Sequence, residues 1–236
     1  MGTPADVTAL ILCGGRGTRI QPAIGGLPKS LALVAGYPYL HHLMSYLADQ
    51  GLANVVLCAG YGADRVASYC EDGSRWGIPI RYSVEDRPLG TAGAIKHAQK
   101  FIASDPFLVL NGDSLIRADL ASLLRLHKNK GALITLALTQ VPDQTRFGSA
   151  VVADDGSISS FLEKGQHGPG FINAGIYSMN HRVLEAIPSG VSTSLELDVL
   201  PNFTGQGMYG LQVTGSFVDI GTPEAYLDAQ VLMSLR

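Results

Sequence analysis

The chain of 236 residues is 46% hydrophobic, long and apolar enough to bury the core of one large domain or of a domain with a lobe. With 20 acidic against 17 basic residues its net charge is −3, which excludes the broad basic field that draws proteins onto nucleic acid or anionic lipid, so any bound anion must be held by a local site. Three cysteines, Cys13, Cys58 and Cys70, with no CxxC pair, speak against a disulfide framework or a zinc knuckle and fit a reducing cytosol. The N-terminal segment has no basic region before its short apolar run, and no stretch reaches the roughly 18 apolar residues of a membrane span, so a cytoplasmic protein without membrane partners is expected.

Residues 7–12 form an apolar, partly β-branched run that predicts a first strand, and "LCGGRGTRIQPAIGGLPKSL", residues 12–31, sets five glycines and three cations at its end. Strand-like runs at 55–59, 80–84 and 107–110 then alternate with helical spacing over 39–50, 63–69, 91–101 and 120–128. That βαβα order predicts a mostly parallel sheet with helices on both faces. From about Gly131 strands are expected at 132–138, 149–152, 157–162 and 171–177, separated by DDG and GQHGPG turns, and a helix over 222–235 closes the chain. No internal repeat interrupts this single mixed α/β unit with its β-rich lobe.

In an open α/β sheet ligands sit at the carboxyl ends of the strands, where both the glycine loop and "NGDS" (residues 111–114) fall. A P-loop needs GxxxxGK[ST], and no window from Gly14 to Ser30 supplies it. A dinucleotide loop needs GxGxxG and an acidic residue about twenty positions on; GGRGTR lacks the last glycine and the region from Val34 to Leu40 has no carboxylate.

The loop with its following "PKSL" resembles the GGxGTRL…PK signature of sugar-1-phosphate nucleotidylyltransferases. "PLGTAGAI" (88–95), "LNGDS" (110–114), "FLEK" (161–164), "FINAGIY" (171–177) and "DIGTPEAY" (219–226) follow in that family's order. Within the family the likeness is greatest to enzymes that guanylylate a manno-heptose 1-phosphate, then to those acting on mannose 1-phosphate. Cys13 stands where the family has alanine, Ser30 where it has proline, and Leu197 interrupts "SLELDVLP" where lysine is frequent. The resemblance implies a Rossmann-like, mostly parallel mixed sheet of the nucleotide-diphospho-sugar transferase type. It also implies a single domain over 1–236, with a nucleotide-binding half to about residue 130 and a sugar-binding half and closing helix beyond.

The chemistry so implied brings two polyanions together, a nucleoside triphosphate and a sugar 1-phosphate, and needs positioning and charge neutralisation rather than a covalent intermediate. Backbone N–H groups of Gly14, Gly15, Gly17 and Thr18, with Leu12 beside them, are expected to cradle the triphosphate and Arg19 to reach its β and γ groups. The resemblance places Lys29 between the α-phosphate and the incoming sugar phosphate, and assigns Asp113 and Asp219 to Mg²⁺, which takes one or two carboxylates with water and phosphate oxygens. Gly90 and Thr91 are expected at the nucleotide. Lys164 is expected at the sugar phosphate, and Glu163, Asn173, Gly148, Gly175 and, more weakly, Glu196 at sugar hydroxyls.

Glu85 is the expected reader of the base. Guanine offers two adjacent donors, N1–H and N2–H₂, which one carboxylate accepts together, whereas uracil and thymine offer one donor flanked by carbonyls, which suits an amide. Guanylyl transfer from GTP follows, with a UTP- or dTTP-dependent enzyme and a non-catalytic sensor of nucleotide sugars as the alternatives. A dehydrogenase would need the missing ribose-binding carboxylate. The histidines lack ligand spacing and are read as surface or satisfied side chains. Cys13, next to Arg16 and Arg19, is expected to have a lowered thiol pKa and to be alkylated selectively. Exposed sheet edges leave room for a homodimer.

Overall fold

The computed structural model describes residues 3–162 and 164–234. Strand β1 (Thr8–Leu12) sits inside a nine-stranded sheet, between two parallel neighbours that both follow it in the chain. After a short helix α1 (Gln21–Ile24) and the small hairpin β2 (Leu33–Val34) and β3 (Tyr37–Pro38), helix α2 (Tyr39–Asp49) crosses back to β4 (Asn54–Ala59). Helix α3 (Ala63–Cys70) leads to β5 (Ile80–Val84) at the outer edge. Helix α4 (Gly90–His97) returns the chain to the other side of β1, where β6 (Phe107–Asn111) pairs with it. The strand order therefore reverses at β1, and a crevice opens beyond its carboxyl end.

The strands read as continuous apolar runs because the sheet is covered on both faces. Ala9 and Ile11 of β1 and Val55 and Leu57 of β4 pack in one core with Leu43 and Leu47 of α2. Leu10 and Val56 point to a second core, with Ala92 and Ile95 of α4. A two-residue strand β7 (Ser114–Leu115) precedes α5 (Leu120–Lys130), which is capped by the Asp119 carboxylate on the Ala121 amide (3.0 Å) and ended by Gly131 in the left-handed region.

The second half does not form a separate body. Strands β8 (Ile134–Val141), β9 (Ser149–Val152) and β10 (Ile158–Leu162) join the same sheet through the long β11 (Gly170–Met179), which runs antiparallel to β6, β8 and β9. Strand β12 (Met208–Gln212) adds parallel to β8, β13 (Val218–Asp219) pairs with β7, and α6 (Pro223–Ser234) packs beside β13. Both cores draw on both halves of the chain: Ala174 and Val218 sit in the first, Leu136 and Tyr177 in the second.

Three expectations need correction. The helix read over 91–101 ends at His97, and its last part is a separate 3₁₀ turn, Gln99–Phe101. Strand β12 and the short strands β2, β3, β7 and β13 were not foreseen, because two-residue strands carry no periodicity and β12 lies in the glycine-rich stretch after Thr204. Cys13 is not activated: it is 5% exposed, its thiol donates to the Cys58 carbonyl (3.3 Å), and burial, reinforced by Cys58, Cys70 and Glu85, pushes its pKa well above the usual value. Burial likewise pushes Cys58 and Cys70 up to about 12. Alkylation of the native protein should thus leave all three thiols intact whether or not nucleotide is present, and mass spectrometry of iodoacetamide-treated protein checks this.

Among the histidines, His127 is buried in the last turn of α5, its Nδ1 at 3.1 Å from the Thr135 hydroxyl. Burial lowers its pKa to about 4, below the value of about 6.5 in an unfolded chain. A depressed folded-state value stabilises the fold above about pH 6.5 and loses that contribution as pH falls towards about 4, on the order of 3 kcal/mol across the window. Thermal melts of wild type and His127→Leu between those limits should show a steeper acid loss in the wild type.

Candidate active site

The four parallel strands end along one edge, and backbone bonds carry their pairing past the strand ends. The Cys13 amide donates to the Cys58 carbonyl (2.9 Å), Gly112 to Leu12 (2.9 Å), Tyr61 to Gly14 (3.0 Å) and Glu85 to Ala59 (3.0 Å). These bonds hold four loops around a cleft of about 1000 Å³ whose lining runs from Leu12 to Gly221. Six cations line it, Arg16, Arg19, Lys29, Arg87, Arg146 and Lys164, against the carboxylates Glu85, Asp86, Asp113, Glu196 and Asp219. Among the described residues the lining is thus rich in charge of both signs.

The glycine loop forms the cleft's floor. No backbone N–H of residues 14–19 donates a hydrogen bond among the described residues, although the loop is pinned elsewhere: the Gln21 side chain donates to the carbonyls of Arg16 (2.6 Å) and Leu27 (3.0 Å). Such a run of unspent amides is an anion-binding concavity. Gly17 has φ +61°, and a Cβ there would lie 2.8 Å from Cβ of Lys29, so the loop lies directly on the lysine stem. Lys29 is thereby nearly enclosed, its side chain 11% exposed, and its Nζ donates to Oδ2 of Asp113 at 2.6 Å. Arg19 and Thr18 lie exposed at the rim.

Asp113 follows β6 and Asp219 ends β13. The β7–β13 ladder registers Asp219 against Ser114, and the Ile220 amide donates to the Asp113 carbonyl (3.1 Å), so residues 106 positions apart come side by side. Asp219 accepts from the Gly221 amide at Oδ1 (2.7 Å) and from the Arg146 guanidinium at Oδ2. Two neighbouring carboxylates facing a phosphate-sized cleft are hard oxygen donors of the kind Mg²⁺ takes, with the rest of its octahedron left to water and substrate. No cluster of three or more His, Cys, Asp or Glu suited to a metal occurs among the described residues.

Glu85 stands on the far wall, half-buried, with Oε2 accepting from the Leu89 amide (3.1 Å) and Oε1 packed so close that a Cβ at Gly60 would lie 2.6 Å from it. Burial raises its pKa above the ordinary glutamate value, only partly offset by that amide. Gly90 and Thr91 open α4, but its first-turn amides of Ala92 and Gly93 are spent on the Thr193 carbonyl (3.0 and 3.2 Å). The Thr91 hydroxyl donates to Glu196 (2.8 Å), so these two residues, expected at different ligands, form one wall.

Gly148, Lys164 and Asn173 line the opposite end. Asn173 donates to the Tyr177 hydroxyl (2.6 Å) and accepts from the Gly175 amide (3.0 Å) at a bulge where the β11–β8 register shifts. Gly175 packs against β6 and β7, where a Cβ would lie 2.5 Å from the Ser114 hydroxyl. Glu163 lies outside the described residues. Sequence reasoning missed Arg146 and Asn111 as site residues; Asn111 lies inside "LNGDS", two positions before Asp113, whereas Arg146, two positions before Gly148, lies in none of the quoted motifs.

The sequence profile described as "Nucleotidyl transferase" matches residues 8–234. D-glycero-alpha-D-manno-heptose 1-phosphate guanylyltransferase of Aneurinibacillus thermoaerophilus is 37% identical over 224 residues, 94% of this chain and 96% of that protein. Mannose-1-phosphate guanylyltransferase of Mycobacterium tuberculosis is also 37% identical over 94% of this chain, which spans 63% of that protein's length. A crystal structure of HddC from Yersinia pseudotuberculosis complexed with GMP-PN superposes with a TM-score of 0.85 at 33% identity, over 96% of this chain and 99% of that one. With a profile match over nearly its whole length and relatives of this similarity, the chain belongs to the nucleotidyl transferase family.

Proposed function

We propose that the protein transfers a guanylyl group from GTP to a sugar 1-phosphate, with a manno-heptose 1-phosphate as the acceptor, releasing pyrophosphate. The observation that carries this reading is the meeting, on one cleft edge, of unspent amides at residues 14–19, the Lys29–Asp113 pair and Asp219. The guanylyltransferase relatives, the heptose enzyme matched over nearly its full length among them, support the choice of base and acceptor. A sensor of nucleotide sugars would have no need for the lysine and both carboxylates to converge.

An acceptor phosphate oxygen attacks the α-phosphorus of GTP. A P–O bond forms as the bond to the bridging oxygen breaks, and pyrophosphate leaves with that electron pair. The loop amides and Arg19 hold the β and γ groups against leaving too early or out of line, and Lys29 offsets charge where the two phosphates meet. Asp113 and Asp219 would hold Mg²⁺, which neutralises charge on the α-phosphate. Lys164, Asn173 and the backbone near Gly148 hold the acceptor at the other end of the same cleft. Asn173 keeps acceptor and donor capacity for a hydroxyl beyond its two internal bonds.

Because charge builds between the phosphates in the transition state, Lys29→Ala should lower kcat by on the order of a hundredfold or more while the KM for GTP changes far less; steady-state kinetics with pyrophosphate release as readout separates the two. The reaction itself is tested by a matrix of the common nucleoside triphosphates against a panel of sugar 1-phosphates, run with wild type and Glu85→Gln. Wild type should favour GTP over UTP by about thirtyfold in kcat/KM, about 2 kcal/mol, and the substitution should narrow that ratio. The raised pKa of Glu85 sets the sign of a pH effect: the carboxylate is lost as pH falls, at a higher pH than for an ordinary glutamate, so the GTP preference should shrink on the acid side. A wild type that prefers UTP overturns guanylyl transfer.

A further inference from the structure

Arg146 has no part in the chemistry derived so far, yet its guanidinium occupies Oδ2 of Asp219. The loop between β8 and β9 carries it into the cleft. Its guanidinium carbon lies 5.2 Å from the centre of the Phe147 ring, which in turn meets Phe217 edge-on at 5.4 Å. This aromatic shelf fixes the arginine between the carboxylate and the end of the cleft lined by Gly148 and Lys164. Oδ1 of Asp219 already accepts from the Gly221 amide and Arg146 holds Oδ2, so a cation that turns to Oδ2 meets the guanidinium.

A guanidinium and a divalent ion cannot share one carboxylate oxygen without strong repulsion. A metal arriving alone must therefore expel Arg146, whose donors are left with no anion and whose charge still faces the ion. A metal arriving with phosphate displaces the same arginine onto phosphate oxygens, which its planar fork matches as well as it matches a carboxylate. We propose that Arg146 is a positioning residue that holds Asp219 as its counterion in the ligand-free protein and passes to substrate phosphate when the metal binds, so that metal affinity is coupled to phosphate. The inference rests on the reading of Asp219 as a metal ligand. By linkage the coupling is reciprocal: phosphate tightens metal, and metal tightens phosphate, by the same factor.

The test reads Mn²⁺ binding directly, by electron paramagnetic resonance or calorimetry, on the nucleotide-free protein with and without pyrophosphate. Arg146→Gln should bind Mn²⁺ about tenfold tighter than wild type without pyrophosphate, and pyrophosphate should then enhance its Mn²⁺ affinity by a smaller factor. Arg146→Lys, which keeps the charge, should stay near wild type. Phe147→Leu, which keeps the arginine but removes its shelf, should fall between. Equal or weaker Mn²⁺ binding by free Arg146→Gln, with an unchanged pyrophosphate effect, overturns the proposal. Asp219→Ala separates the two readings: if it retains wild-type Mn²⁺ affinity in pyrophosphate, Asp219 is no metal ligand and both fall. If it loses that affinity while Arg146→Gln behaves as wild type, only the role of Arg146 falls.

Discussion

The edge of the cleft that carries the glycine loop, Glu85 and Asp113 depends on parallel pairing that continues after the strands have ended. Four backbone bonds, from Cys13, Tyr61, Glu85 and Gly112 to carbonyls of neighbouring segments, tie the loops after β1, β4, β5 and β6 to one another. These loops are continuations of the sheet. They can therefore present charged groups at fixed separations without a ligand to organise them. That rigidity matters because the task is electrostatic, and preorganised charge is effective only if it need not reorganise when the substrate arrives.

The same constraint explains how a protein of net negative charge keeps several cations and carboxylates in one crevice. Lys29, almost enclosed beneath the glycine loop, would be costly without Asp113, and Asp219, 16% exposed, gains from Arg146. Each pair offsets its own desolvation in the absence of substrate. The pairs also keep the cleft from collapsing onto itself in the wrong arrangement, since each charge has a partner on a different element.

How legible this was in the sequence follows from the range of the signals. The strands and helices around β1 were readable because both-face burial writes long apolar runs, and the residue ranges 80–84 and 149–152 agree with β5 and β9 to the residue. Lys29, Asp113 and Asp219 were reached through motifs, and the structure brings all three to one edge. Arg146 was not reached, because a single arginine in a polar loop has no local mark; its importance is a matter of which distant carboxylate it meets. Cys13 misled for the converse reason. Adjacent arginines in sequence suggested activation, but those side chains turn to solvent while the thiol turns inward to the Cys58 carbonyl. Thr91 and Glu196, 105 positions apart, likewise show their partnership only when folded.

The strand that carries Asp219 is two residues long and pairs with another of two. Such a ladder has no stability of its own. It is held by the Tyr39 hydroxyl, which donates to the Val218 carbonyl (3.0 Å), by the Ile220 amide and by α6 packed beside it. Because both cores draw on both halves of the chain, Asp219 reaches Asp113 only once residues 218–234 have docked. Docking of that segment therefore decides whether the second carboxylate stands beside the first, which ties the make-up of the cleft to completion of the fold.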